Sequence, residues 1–219
     1  MTKFAALLRA GAGLLAATVL TSAAQAAVFT IDDFTTVQGP IVDVAGGGAT
    51  VSALGNRTIS VDASGSNALG QNASATVNGA FFDVANSSLV SSVIELTYNL
   101  APIAGFDTFT AGTLSFVFDS NNPANQVPTT LSAQITIGSF GPFNIPAIPP
   151  GTPTLDIVLN QAELAALTGG GDFKVTFTGG NGYDFGLDSI TVSAPEPGSV
   201  LLLGAGLLGL GLASRRKRA

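Results

Sequence analysis

The segments Leu131-Ser-Ala-Gln-Ile-Thr-Ile137 and Phe173-Lys-Val-Thr-Phe177 decide the fold class of this chain. In both segments the apolar residues recur at every second position, so they share one face of an extended chain, as they do in a half-buried β-strand. Leu114-Ser-Phe-Val-Phe118 follows the same alternation. These patterns predict strands that each cover a hydrophobic core with one face.

Similar short segments, rich in Val, Ile, Phe and Thr, recur along the chain and are separated by Gly, Asn, Ser and Pro. This spacing is typical of an all-β, antiparallel β-sandwich, and we expect nearly all 14 phenylalanines to lie in its core. The predicted strands are Phe29–Phe34, Thr50–Leu54, Arg57–Asp62, Ala75–Asn78, Ala80–Ala85, Ser92–Asn99, Gly112–Phe118, Thr130–Phe140, Leu155–Leu159, Phe173–Thr178 and Ser189–Ser193.

Two segments depart from the strand pattern. Asn160–Thr168 contains good helix formers and is followed by Gly169-Gly-Gly171, which predicts a short helix that crosses between two strands. Residues 138–153 contain five prolines, which predicts an extended loop at an edge or tip of the sheets.

The body of the chain, residues 27–194, is strongly acidic. It holds thirteen acidic residues against two basic ones, Arg57 and Lys174, for a net charge of −11, whereas the whole chain carries −6. Such a surface repels nucleic acid, so nucleic-acid binding is excluded as a function.

The chain has neither cysteine nor histidine. This composition excludes Ser-His-Asp triads, cysteine nucleophiles and ordinary zinc or copper sites. Only carboxylate chemistry and metal ions with oxygen ligands remain. Because the acidic residues are scattered rather than clustered, we predict that the protein is not an enzyme.

The N-terminus, residues 1–26, has the pattern of a secretory signal peptide. Lys3 and Arg9 precede an apolar stretch from Ala10 to Leu20, and Ala24-Gln-Ala26 is a small-x-small cleavage site. We expect signal peptidase to cut before Ala27. The alternative is an N-terminal membrane anchor that is never cut.

The C-terminus, residues 195–219, combines three signals. Pro195-Glu196-Pro197 is followed by an uncharged apolar run, residues 198–213, and then by the basic cluster Arg215, Arg216, Lys217 and Arg218. The run predicts a transmembrane helix of only ~24 Å, against a hydrocarbon core of ~30 Å, with the basic cluster in the cytoplasm. The alternative is a plain C-terminal anchor with a proline-marked boundary.

The order and spacing of these three signals resemble the PEP-CTERM sorting signal of Gram-negative bacterial surface proteins. The resemblance implies that exosortase recognises Pro195, Glu196 and Pro197 and cuts near them. The protein would be held briefly in the cytoplasmic membrane and then be delivered to the cell surface or the extracellular space.

The two ends of the body resemble the terminal strands of jelly-roll carbohydrate-binding modules, through Phe29-Thr-Ile-Asp-Asp-Phe34 and Phe185-Gly-Leu-Asp-Ser-Ile-Thr-Val192. The resemblance implies a jelly-roll-like sandwich in which Asp32, Asp33 and Asp188 hold a structural calcium ion. The alternative is that these acids are solvated residues at strand edges. No other cofactor is expected.

Three functions are compatible with these features. The first is a structural or adhesive surface or matrix protein, associated with exopolysaccharide or biofilm. The second is a carbohydrate-binding module that recognises exopolysaccharide through a sheet face, which an exposed Tyr98 or Tyr183 would favour. The third is a carboxylate hydrolase, which needs two acids within about 10 Å of each other in a cleft.

Overall fold

The computed structural model describes residues 27–65, 70–106, 109–119 and 131–194. Within these ranges the chain forms strands and one helix, and Val28–Ala194 make up a single unit. The strands are β1 Ala27–Asp32, β2 Gln38–Val44, β3 Thr50–Leu54, β4 Arg57–Gly65, β5 Asn72–Val77, β6 Phe82–Asn86, β7 Val90–Leu100, β8 Ala111–Phe118, β9 Ser132–Ile137, β10 Phe140–Ile145, β11 Thr154–Asn160, β12 Gly171–Thr178 and β13 Phe185–Ala194.

The strands form two antiparallel sheets that pack as a sandwich, which confirms the predicted fold class. The seven-stranded sheet has the order β11-β8-β13-β6-β5-β2, with β1 also paired to β13. The six-stranded sheet has the order β10-β9-β12-β7-β4-β3. The first and last strands of the body therefore lie side by side in one sheet.

Phenylalanine side chains connect the two sheets through the core. Phe177 of β12 lies 4.9 Å from Phe185 of β13 and 6.4 Å from Phe116 of β8, measured between ring centroids. Of the thirteen phenylalanines in the described ranges, nine are buried and four are half-buried. Each fully buried ring contributes about 1.5–3 kcal/mol of hydrophobic stabilisation, so this cluster is a large part of the core.

The predicted helix forms as α1, Gln161–Thr168. The Asn160 side chain accepts hydrogen bonds from the backbone N–H groups of Ala162 and Glu163, and the Glu163 side chain accepts one from the Asn160 N–H. This capping box starts the helix, and Leu164 and Leu167 are buried. The helix links β11 in one sheet to β12 in the other, as predicted.

The prediction of a loop over residues 138–153 is wrong in part, because β10 lies within it, and β2 was not predicted at all. Both strands contain a Gly-Pro pair, and the register with the neighbouring strand shifts at that pair. Both are edge strands, where a proline removes no hydrogen bond that the sheet needs. The predicted strand Thr130–Phe140 is in fact β9 and the start of β10, divided by a turn at Gly138 and Ser139.

Candidate functional site

Asp32, the first predicted calcium ligand, is one half of a buried ion pair. Its Oδ2 lies 2.7 Å from Nη1 of Arg57, the first residue of β4, which is 4% exposed. The same guanidinium donates to the Gln38 side-chain oxygen at 2.8 Å and to the Thr36 carbonyl at 2.6 Å. The arginine thus ties the β1–β2 connection to the facing sheet.

The remaining hydrogen bonds to Asp32 come from within the domain. The Tyr98 hydroxyl donates to Oδ2 at 2.8 Å, and the Phe34 N–H donates to Oδ1 at 2.8 Å. Burial, followed by the neighbouring carboxylate charge, raises the pKa of Tyr98 well above its usual value, so the hydroxyl stays protonated and donates. Both oxygens of Asp32 therefore have partners, and a metal ion would compete with Arg57 for this carboxylate.

Asp33 is exposed and bonds only locally. Its Oδ1 accepts from the Thr35 hydroxyl at 2.7 Å and from the Thr35 N–H at 3.1 Å. These hydrogen bonds, the hydroxyl first, lower the pKa of Asp33. The arrangement is a side-chain turn that shapes the exit from β1.

Asp188 lies at a register shift of β13, between Leu187 and Ser189. Burial, and then the negative charge of Asp119, raises the pKa of Asp188. Asp119 follows β8 and is 5% exposed, and its N–H donates to the Gly186 carbonyl at 3.0 Å. Asp119 was not predicted as a site residue. The only feature of the sequence that could have indicated it is its position as an acidic residue directly after the strongly alternating strand that ends at Phe118.

The three predicted calcium ligands do not form one cluster. Among the residues that the model describes, no three acidic, histidine or cysteine side chains come together as a group that could hold a metal ion. Asp32 pairs with Arg57, Asp33 bonds to Thr35, and Asp188 neighbours Asp119.

The outer face of the six-stranded sheet is covered mainly by polar side chains, many of them Ser and Thr. One row across it, from β3 to β10, runs Val51, Ser60, Glu95, Thr176, Gln134 and Asn144. Gln134 donates to the Asn144 side-chain oxygen at 2.8 Å, and these two residues line a shallow cleft of about 270 Å³. An exposed ion pair, Lys174 to Glu95 at 3.2 Å, lies on the same face.

Neither tyrosine lies on an outer face. Tyr98 is 1% exposed and stacks on Phe173, and Tyr183 is 2% exposed, with its hydroxyl 2.9 Å from that of Ser92. The half-buried Phe140 and Phe143 of β10 pair with Ile137 and Ile135, on the core side of the sheet. The aromatic platform that would favour sugar binding is therefore absent from the described part of this face.

The processing sites predicted from sequence lie at or beyond the ends of the described domain. Ala27 is the first residue of β1, whereas Ala24 and Ala26 fall outside the described residues. Ala194, the last residue of β13, is fully buried, and Pro195, Glu196 and Pro197 follow it directly, again outside the described residues. No linker therefore separates the last core residue from the Pro-Glu-Pro segment.

Within the described ranges, no helix has the length and apolar character needed to cross a membrane. The predicted transmembrane helix, residues 198–213, and the basic cluster Arg215, Arg216, Lys217 and Arg218 lie outside those ranges.

Comparisons with solved structures returned cellulose- and carbohydrate-binding domains at low similarity. The second N-terminal cellulose-binding domain of Cellulomonas fimi β-1,4-glucanase C is 14% identical, covers 77% of this chain and 100% of its own length, and has a TM-score of 0.33. The family 11 carbohydrate-binding module of a cellulosomal cellulase of Clostridium thermocellum is 12% identical, with 77% and 95% coverage and a TM-score of 0.31. No protein of curated function matches the chain.

The comparison with family models concerns the C-terminus. Residues 193–217 match the PEP-CTERM protein-sorting motif, so the match begins within β13 and includes Pro195-Glu196-Pro197 and most of the basic cluster. The motif implies export, sorting from a membrane-anchored form, and exosortase as the processing partner. The chain is a β-sandwich that carries a PEP-CTERM sorting motif, which begins in the last two residues of its last strand.

Proposed function

We propose that the sandwich is a non-catalytic cell-surface or extracellular-matrix domain with a structural or adhesive role, associated with exopolysaccharide or biofilm. The observation that supports this role most strongly is the polar character of the outer face of the six-stranded sheet. Tyr98 and Tyr183 are buried, and polar side chains, many of them Ser and Thr, cover most of the outer face of the six-stranded sheet. Sorting to the surface through residues 193–217 brings this domain to the matrix.

The structural role can be tested by measuring the cohesion of the extracellular matrix. In a host that lacks the gene, we expect matrix cohesion, measured as yield stress, to fall and the wild-type gene to restore it. The control is an unrelated β-sandwich carried between the same signal peptide and residues 193–219. If the unrelated domain restores cohesion as well as the natural one, the body has no structural role.

A second candidate is carbohydrate binding at the cleft formed by Gln134, Asn144 and Thr176. Side-chain amides and hydroxyls there can hydrogen-bond sugar hydroxyls even without an aromatic platform. A glycan array with residues 27–194 distinguishes the two candidates. We expect no specific glycan binding, whereas binding that the double substitution Gln134→Ala and Asn144→Ala abolishes would favour this second role.

Calcium provides a separate prediction. An ion held by Asp32, Asp33 or Asp188 would stabilise the native domain by about 2.7 kcal/mol at a hundredfold excess over its Kd, or about 5–10 °C in Tm. Because Asp32 is already paired with Arg57, we expect a shift of no more than about 2 °C. The measurement is a melting curve of residues 27–194 in millimolar calcium and in chelator, and a shift of about 5 °C or more would establish a structural ion.

A further inference from the structure

The end of β13 belongs both to the folded sheet and to the sorting motif. The matched motif begins at Ser193, whereas β13 extends to Ala194. Ser193 pairs with Thr113 of β8, and Ala194 is fully buried. β13 is not an edge strand, since β8 and β6 flank it and β1 also pairs with it. Two residues of the motif are therefore held within the sandwich.

Gly112 of β8 shows how closely the end of β13 is packed. A Cβ atom at Gly112 would lie 2.9 Å from the Ser193 carbonyl oxygen and 3.0 Å from Cδ1 of the buried Leu164 in α1. Non-bonded heavy atoms pack at about 3.5–4.0 Å, so a side chain at this position would displace the Ser193 backbone. The absence of a side chain at Gly112 therefore allows the end of β13 to pack against β8.

The Pro-Glu-Pro segment begins directly after this packed strand end. Two residues of extended chain span at most about 7 Å, so the Cα atom of Glu196 lies no farther than that from the Cα atom of Ala194. Partner proteins bind an extended peptide through its backbone N–H and C=O groups, as they would an added strand. Because β8 already pairs with Ser193, an exosortase that grips the chain ahead of Pro195 must first separate the two strands.

We propose that Ser193 and Ala194 must detach from β8 before exosortase cuts, so that opening of this strand end limits the rate of processing. Local opening of a strand end costs less free energy than unfolding of the whole domain. Val192 and Ile190, both fully buried, stay in the core, and Ala194 exposes only its methyl group. The apparent affinity of exosortase for the chain then falls in proportion to the open fraction. This inference rests on processing at the sorting motif.

A flexible linker between Ala194 and Pro195 should remove the need for opening. Inserting Gly-Gly-Ser-Ala there keeps the dipeptide Ser-Ala in front of Pro195, while the original strand end stays paired. If about one chain in ten is open at any moment, the insertion should speed cleavage about tenfold. The control is the same insertion after Gly48, in the exposed connection between β2 and β3, which leaves β13 unchanged.

The substitution Gly112→Ala should loosen the same strand end without changing the length of the chain. The added methyl group displaces the Ser193 backbone, so we expect cleavage to be about threefold faster. The control is Val61→Ala in β4, a fully buried residue of the other sheet. This control lowers the stability of the whole domain but does not act on β13, so cleavage should keep its wild-type rate.

Pulse-chase labelling of the full chain, in a host that contains exosortase, measures the fraction cut at successive times. Cleavage of the linker variant at the wild-type rate would overturn the proposal. Equal acceleration by Gly112→Ala and Val61→Ala would also overturn it, because unfolding of the whole domain would then limit cleavage. A wild-type chain that is never cut would overturn both the proposal and the processing on which it rests. The matrix role is tested separately, through cohesion.

Discussion

Replacing Arg57 by methionine is expected to lower the free energy of unfolding of the domain by about 3–5 kcal/mol. The guanidinium is 4% exposed and binds Asp32, Gln38 and the Thr36 carbonyl. Without it, the Asp32 carboxylate stays in place with only the Tyr98 and Phe34 hydrogen bonds, and its negative charge has no cation beside it. A buried charge that loses its partner is among the largest single-residue penalties in proteins.

Urea unfolding of residues 27–194 measures this loss, which should also lower Tm by about 10 °C. Lys174→Met is the matched control, because the Lys174–Glu95 pair is exposed and should contribute less than about 1 kcal/mol. Adding Asp32→Asn to Arg57→Met should recover part of the stability by removing the unpaired charge. If Arg57→Met and Lys174→Met destabilise equally, the buried pair does not hold the β1–β2 connection.

Replacing Glu196 by alanine is expected to leave most of the protein uncleaved in the membrane while the domain folds normally. Glu196 lies within the matched motif and follows the last residue of β13 by two positions, so it contributes nothing to the described core. Its flanking prolines favour an extended backbone, the form in which a protease binds its substrate. Immunoblots of membrane and surface fractions, with circular dichroism of the domain, report the two effects separately.

Replacing Arg215, Arg216, Lys217 and Arg218 by neutral residues should release the protein from the membrane instead of retaining it there. In the topology predicted from the sequence, these charges hold the chain end in the cytoplasm, so we expect their loss to weaken membrane retention and release uncut precursor. A variant in which all four residues are lysine keeps the charge and is the control. Release that is equal in the neutral and the lysine variants would show that charge does not retain the tail.

Strands whose side chains alternate were predictable, because one face of each lies in the core. Leu114–Phe118 and Phe173–Phe177 are examples, with every second residue buried in β8 and β12. The edge strands β2 and β10 were not predicted. Pro40 and Pro142 argue against a central strand, but a proline alone does not indicate that an edge strand forms instead. Whether a strand lies at an edge is a property of the sheet order, which local sequence does not contain.

The environment of Asp32 depends on residues far away in the sequence. Arg57 and Tyr98 are 25 and 66 positions from it, and nothing in the pattern around Asp32 links it to either. Asp188 was predicted to act with Asp32 and Asp33, but these three do not form a metal-ligating group among the described residues, and the carboxylate whose charge acts on Asp188 is that of Asp119. The sorting motif could be recognised from sequence because it is contiguous and needs no tertiary contact.

The central claim is that a folded sandwich is exported, trimmed at both ends and released to the surface. Mass spectrometry of the intact protein released by a host that contains exosortase tests it most directly. The account predicts a chain that starts at Ala27 and ends close to Pro195-Glu196-Pro197, without the apolar run and the basic cluster. A released chain that still ends at Ala219 would contradict the account.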